Sequence, residues 1–182
     1  MKRLLTAAAL ACFAAGCSSQ SPVAKTAAGP PAAAFTLRDQ DGKPQSVGTA
    51  SSSATALYFG YTHCKDVCPQ TLAMLGRARA QAHLTAQQLR IVMVTVDPAR
   101  DSRAALKAFV QRTGVKMSAL RGSNTQLHRI YKAYGVVIQP QGRDLGHTDY
   151  AYLIDRHARL SAVVSDHTAL NEVARRLRSL LN

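Results

Sequence analysis

Ala54-Thr55-Ala56-Leu57-Tyr58-Phe59-Gly60-Tyr61-Thr62-His63-Cys64-Lys65-Asp66-Val67-Cys68-Pro69 decides the fold. The first six residues form a short apolar run closed by Gly60, which reads as a buried strand. Pro69 to about Ala82 then has helical periodicity, with Leu72, Leu75 and Ala78 on one face. Two cysteines with three residues between them therefore occupy a strand-to-helix turn. Thiols so placed face free backbone N–H groups and the positive end of the helix dipole, which favour thiolate. If the pair shares one helical turn, both sulfurs point the same way, as i and i+4 neighbours do.

The elements outward from this turn alternate. Phe35-Thr36-Leu37 and Ser46-Val47 flank Asp41-Gly42, a hairpin signal. Arg90 to Val96 is almost wholly apolar and β-branched, as expected of a central strand buried on both faces. It stops at Asp97-Pro98. Asp101-Ser102 caps a predicted helix to Arg112, stopped by Gly114; Ser123 or Asn124 caps another to Tyr134, stopped by Gly135. Between them Met117 to Leu120 is extended. Val136 to Ile138 begins an extended segment, and residues 139–148 read as a Pro/Gly loop. Tyr150 to Ile154 and Leu160 to Val164 read as a hairpin, and Thr168 to Leu181 as a closing amphipathic helix. This order predicts an α/β fold of thioredoxin-like layout: a central mixed sheet flanked by helices, extended by an N-terminal β-hairpin.

The first residues read as an export signal. Lys2 and Arg3 precede the apolar stretch Leu4 to Ala15, which ends in Ala14-Ala15-Gly16-Cys17. This resembles a bacterial lipobox, so the expected organisation is a lipoprotein-type signal over 1–16 and a flexible tether over 17–34 from a lipidated Cys17. One domain then spans 35–182. Export implies an oxidising compartment, the periplasmic side of a bacterial membrane. Cys12 and Cys17 lie in this segment, which leaves Cys64 and Cys68 as the thiols of the domain. The net charge of +13 is dispersed over helices, and with export it points away from nucleic acid and toward anionic head groups or an acidic partner.

Two thiolates can do disulfide exchange or hold a soft ion such as Cu(I), which would need a third ligand. Of six histidines, His147 stands out. It precedes the strand Tyr150–Ile154, and in a thioredoxin-like fold the loop entering that strand lies over the dithiol. Thioredoxins carry a cis-proline there; here Pro140 is seven residues too early.

The chain resembles the Sco/SenC family, thioredoxin-like copper chaperones of cytochrome c oxidase assembly. The matching residues are Phe59-Gly60-Tyr61-Thr62-His63-Cys64, Asp66-Val67-Cys68-Pro69, Val96-Asp97-Pro98-Ala99-Arg100-Asp101, and His147 ahead of Tyr152-Leu153-Ile154-Asp155. The resemblance implies copper, Cu(I) or Cu(II), held by Cys64, Cys68 and His147. It also implies as partners a periplasmic copper donor and the copper-bearing oxidase subunit. Asp66, between the cysteines, and Asp97, at the end of the central strand, are candidates to support the ligands; Asp97 also suits pairing with Arg100. The family usually has proline where Lys65 stands, and this cation would lower a thiol pKa and disfavour bound copper. The alternative is a thiol–disulfide reductase, with Cys64 attacking a partner disulfide and Cys68 resolving it.

Overall fold

The structure, a computed structural model, describes residues 29–142 and 144–182. The signal segment, Cys17 and most of the tether lie outside the described residues. Among the described residues nine strands and four helices follow in chain order: β1 (Phe35–Asp39), β2 (Pro44–Val47), β3 (Ala54–Gly60), α1 (Val67–Gln81), β4 (Leu89–Thr95), α2 (Arg103–Thr113), β5 (Ser118–Arg121), α3 (Asn124–Tyr134), β6 (Ile138–Gln141), β7 (Asp144–His147), β8 (Ala151–Ile154), β9 (Leu160–Val164) and α4 (Leu170–Ser179).

Seven strands form one sheet in the order β2-β1-β5-β4-β3-β8-β9. β3, β4 and β5 are parallel, whereas β1 pairs with β5, and β8 with β3, antiparallel. All seven residues of β3 are buried, because helices cover both faces of the sheet. Tyr58 and Phe59 point to opposite faces, as successive strand residues must. Phe59 meets Tyr131 and Tyr134 of α3, while Tyr58 lies on the α1 side, and α1 packs against α2 and α4. The fold is the mixed α/β, thioredoxin-like one expected. No helix among the described residues is long and apolar enough to cross a membrane.

The helix caps follow their sequence signals. The Ser102 side chain accepts from the Ala105 N–H, and Ser123 with Gln126 forms a capping box; Gly114 and Gly135 end their helices at φ of 64° and 66°. Two expectations change. Residues 139–148 are mostly a two-stranded ribbon, β6 against β7, with Ile138 opposite His147. Pro140 concealed it, since proline donates nothing to a ladder and is confined to edges. Helix α1 also starts earlier than Pro69, at Val67. Pro69 is tolerated in its first turn because N–H groups there have no intrahelical partner. At the other end, residues 30–32, assigned to the tether, hydrogen-bond to residues 158–160 at the start of β9.

Candidate metal centre

Cys64 and Cys68 are free thiols at the carboxyl end of β3. They do not share a helical turn as the spacing suggested. Cys64 precedes the N-cap Asp66, and only Cys68 is helical. The sulfurs converge because the turn folds back, so that the Cys68 N–H donates to Cys64 Sγ at 3.3 Å. The turn is held from behind by Asp101, which is fully buried. Its carboxylate accepts from the Thr62 N–H at 3.2 Å, the Thr62 hydroxyl at 2.6 Å and the Thr95 hydroxyl at 2.5 Å. Sequence reading assigned Asp101 to helix capping. Its anchoring role depends on β4 lying beside β3, a pairing that no local signal encodes.

His147 arrives on β7. Its Nε2 lies 3.5 Å from Cys68 Sγ, and its Nδ1–H donates to the Thr148 carbonyl at 3.0 Å. A carbonyl can only accept, so in the neutral ring the proton sits on Nδ1 and the Nε2 lone pair faces the sulfurs. Tyr58 and Tyr61 flank the imidazole edge to face, at centroid distances of 6.1 Å and 5.9 Å. The Tyr61 hydroxyl accepts from the Leu145 N–H at 3.3 Å and ties the β6–β7 ribbon to the turn. The Tyr58 hydroxyl donates to Asp149 at 2.6 Å. Gly60 leaves room for the buried sulfur, since a Cβ there would lie 3.2 Å from Cys68 Sγ and 2.7 Å from Tyr58 Cε1.

The two sulfurs differ electrostatically. Cys64 is held down at about 4, chiefly by the hydrogen bond from Cys68, against burial, with help from His147 and the amides of Cys68 and Asp66. Cys68 is pushed up because it is the donor to Cys64 and because it is buried. Burial pulls His147 down, but its contacts with the Cys64 sulfur and the Thr148 carbonyl outweigh this and raise it. Burial also raises Asp149, partly offset by the Tyr58 hydroxyl. The result is one thiolate, one buried thiol and one imidazole, with Cys64 and His147 lining a cleft of about 360 Å³ beside Lys65, Asp66 and Asp144.

The structure thus brings Cys64, Cys68 and His147 together. Asp66 acts on Cys64 through its backbone N–H, and its carboxylate makes no capping bond. Asp97 pairs with Arg100, whose guanidinium sits 5.9 Å over the Tyr61 ring. It therefore reaches the site through the ring that flanks His147 and touches neither sulfur. Donor atoms of His63, Asp97 and Asp101 also lie within 4.8 Å of one another. Both carboxylates are already engaged, by Arg100 and by the threonines, and this cluster is structural. Tyr58, Tyr61 and Asp149 were missed because aromatic and acidic residues near strands carry no spacing signature.

The chain is similar to known proteins. A protein of Stutzerimonas stutzeri, named provisionally for copper binding, is 34% identical over 131 residues, covering 71% of this chain and 62% of its own. The chain therefore spans about three fifths of that relative's length. The structure of Bradyrhizobium japonicum ScoI with copper bound is 28% identical, with a TM-score of 0.70, covering 82% of this chain and 99% of that one. Arabidopsis thaliana ScoI with copper bound has a TM-score of 0.74 at 23% identity, covering 83% of this chain and 98% of that one, a likeness of fold. The model of the SCO1/SenC family matches residues 23–182, and the chain belongs to that family.

Proposed function

We propose that this chain is a copper metallochaperone that carries copper as cargo between Cys64 Sγ, Cys68 Sγ and His147 Nε2. The observation that carries this reading is the His147 geometry, with Nε2 at 3.5 Å from Cys68 Sγ while Nδ1 is committed to the Thr148 carbonyl. Two soft sulfurs and one imidazole suit copper in either oxidation state. Loading releases the Cys68 proton, since the metal takes the thiolate. Delivery proceeds by ligand exchange, an incoming thiolate bonding to the metal as one chaperone thiolate leaves. By family resemblance the recipient is the subunit bearing the dinuclear copper site of cytochrome c oxidase, and a periplasmic protein is the donor. In this reading the chain works on the periplasmic side of a bacterial membrane, anchored through lipidated Cys17.

The test is anaerobic titration of the reduced protein with Cu(I) and Cu(II), wild type beside His147→Ala. The expected wild-type result is one equivalent bound, with a sulfur-to-copper charge-transfer band for Cu(II). The variant should bind at least about 100-fold more weakly, since even partners behind a ligand contribute 10–100-fold. Equal affinity in the two proteins rules the three-ligand site out.

A second reading, thiol–disulfide reduction, has its own observation. Cys64 is the half-buried, more accessible thiolate and Cys68 the buried thiol, the arrangement of an attacking and a resolving cysteine. A reductase needs both sulfurs but not His147. Retained reduction of a model disulfide by His147→Ala, with copper binding lost, would separate the two activities.

A further inference from the structure

A second cleft, of about 750 Å³, opens where β1, β5 and the starts of α2 and α3 meet. Arg38, Arg103 and Arg121 line it, together with Ser123 and Gln126. Three ordinary rules of local electrostatics fail here at once. Arg38 and Arg121 are direct partners in the antiparallel β1–β5 pair, where like charges repel. Arg103 is the first residue of α2, at the positive end of its dipole. Neither α2 nor α3 has an acidic residue in its first turn.

None of these arginines forms an ion pair among the described residues. Arg38 donates to the Gly42 carbonyl and Arg121 Nη2 to the Pro98 carbonyl. Arg121 Nε is buried without a hydrogen-bond partner. The neighbouring carboxylates are taken. Asp41 pairs with Lys107, and Asp39 accepts from the amides of Asp41 and Lys43 and from the Gln45 side chain. The capping box occupies the amides of Ser123 and Gln126, which leaves those of Asn124 and Thr125 at the open end of α3.

The geometry points to a binding site for a multiply charged phosphate-type anion in this cleft, held by Arg38, Arg103 and Arg121. The three guanidiniums approach from two strands and a helix start, so their charge converges on a concavity. That favours a compact anion over an extended acidic surface. Guanidinium forks match phosphate oxygens in pairs, and helix starts supply N–H donors. One bound anion would offset all three unfavourable placements, which is how local conflicts at binding sites are compensated. The chemistry suits a free phosphate or a lipid headgroup.

Titration calorimetry with inorganic pyrophosphate at constant ionic strength tests this, comparing wild type with the double variant Arg38→Gln, Arg103→Gln. Both side chains are exposed, so the variant should fold. Wild type should bind one equivalent, and the variant at least about tenfold more weakly with copper binding unchanged. Arg121→Lys, which keeps the charge but loses the fork, should also bind more weakly. Pyrophosphate should raise the thermal midpoint of wild type more than that of the double variant. Equal binding in wild type and double variant, or no saturation at millimolar concentration, overturns the site. Soluble dihexanoyl phosphatidic acid, whose phosphomonoester can carry two charges, separates the sources, with the phosphatidylcholine analogue as control. Displacement of pyrophosphate by the former alone assigns the site to an anionic headgroup, and displacement by neither assigns it to free phosphate.

Discussion

His147 Nε2 and Cys68 Sγ lie 3.5 Å apart although 79 residues separate them along the chain. The contact follows from strand order. β8 runs antiparallel to β3, with Tyr58 opposite Ala151, so the residues entering β8 arrive at the end of the sheet where β3 releases Cys64 and Cys68. The β6–β7 ribbon then holds the imidazole there, tied down through Leu145 and Tyr61.

That tie gives a first prediction. Tyr61→Phe removes the acceptor for the Leu145 N–H and keeps the ring beside His147. The expected loss is about 1 kcal/mol of stability and roughly tenfold in copper affinity. Denaturation and copper titration measure the two. Unchanged affinity would mean that the ribbon is positioned without Tyr61.

The contrast between the sulfurs predicts selective alkylation. Since Cys64 is lowered to about 4, it is a thiolate throughout the neutral range and loses that form only as pH falls through about 4. Iodoacetamide at pH about 6 should label Cys64 before Cys68, where an ordinary thiol with pKa about 8.5 would barely react. Its rate should be nearly flat from there to pH about 8, as the thiolate fraction is then complete. Peptide mapping reads this directly, and equal labelling of both cysteines would contradict it.

Asp101→Ala should be among the most damaging single changes outside the ligands. It strips the partners from Thr62 and Thr95 in a buried setting. At about 1–3 kcal/mol for each orphaned group, the loss should reach about 3 kcal/mol. Urea denaturation with an unchanged slope would report it, and the freed turn should also reduce copper affinity.

Gly60→Ala tests the space around the buried sulfur. The added methyl meets Tyr58 Cε1 at 2.7 Å and Cys68 Sγ at 3.2 Å, so one of them must move. Overpacking of this kind costs about 1–3 kcal/mol. The Cu(II) charge-transfer band should shift as Cys68 is displaced. A variant with wild-type stability and spectrum would show that the strand end yields freely.

Much of this protein is written locally. The apolar run ending at Gly60, the apolar, mostly β-branched run from Ile91 to Val94, and the capping signals at Ser102, Ser123, Gly114 and Gly135 each specify backbone conformation by nearest-neighbour physics. Those signals led to the right elements in the right order. The ribbon of β6 and β7 escaped because its strands are short, polar and interrupted by Pro140, so only cross-strand bonds reveal them.

The site divides the same way. Cys64 and Cys68 were legible because their spacing and their place at a strand-to-helix turn are themselves local. The turn's actual shape, with Cys64 outside the helix and its sulfur over the Cys68 amide, was not, because it depends on Asp101 reaching across from the connection between β4 and α2. His147 was singled out through the expected strand order, while its tautomer and the tyrosines beside it required the folded sheet. By itself the sequence determined the dithiol, the element order and the excess of positive charge, all properties of neighbouring residues. Only the tertiary structure decided which groups meet across the sheet, because strand pairing sets distances that separation along the chain cannot.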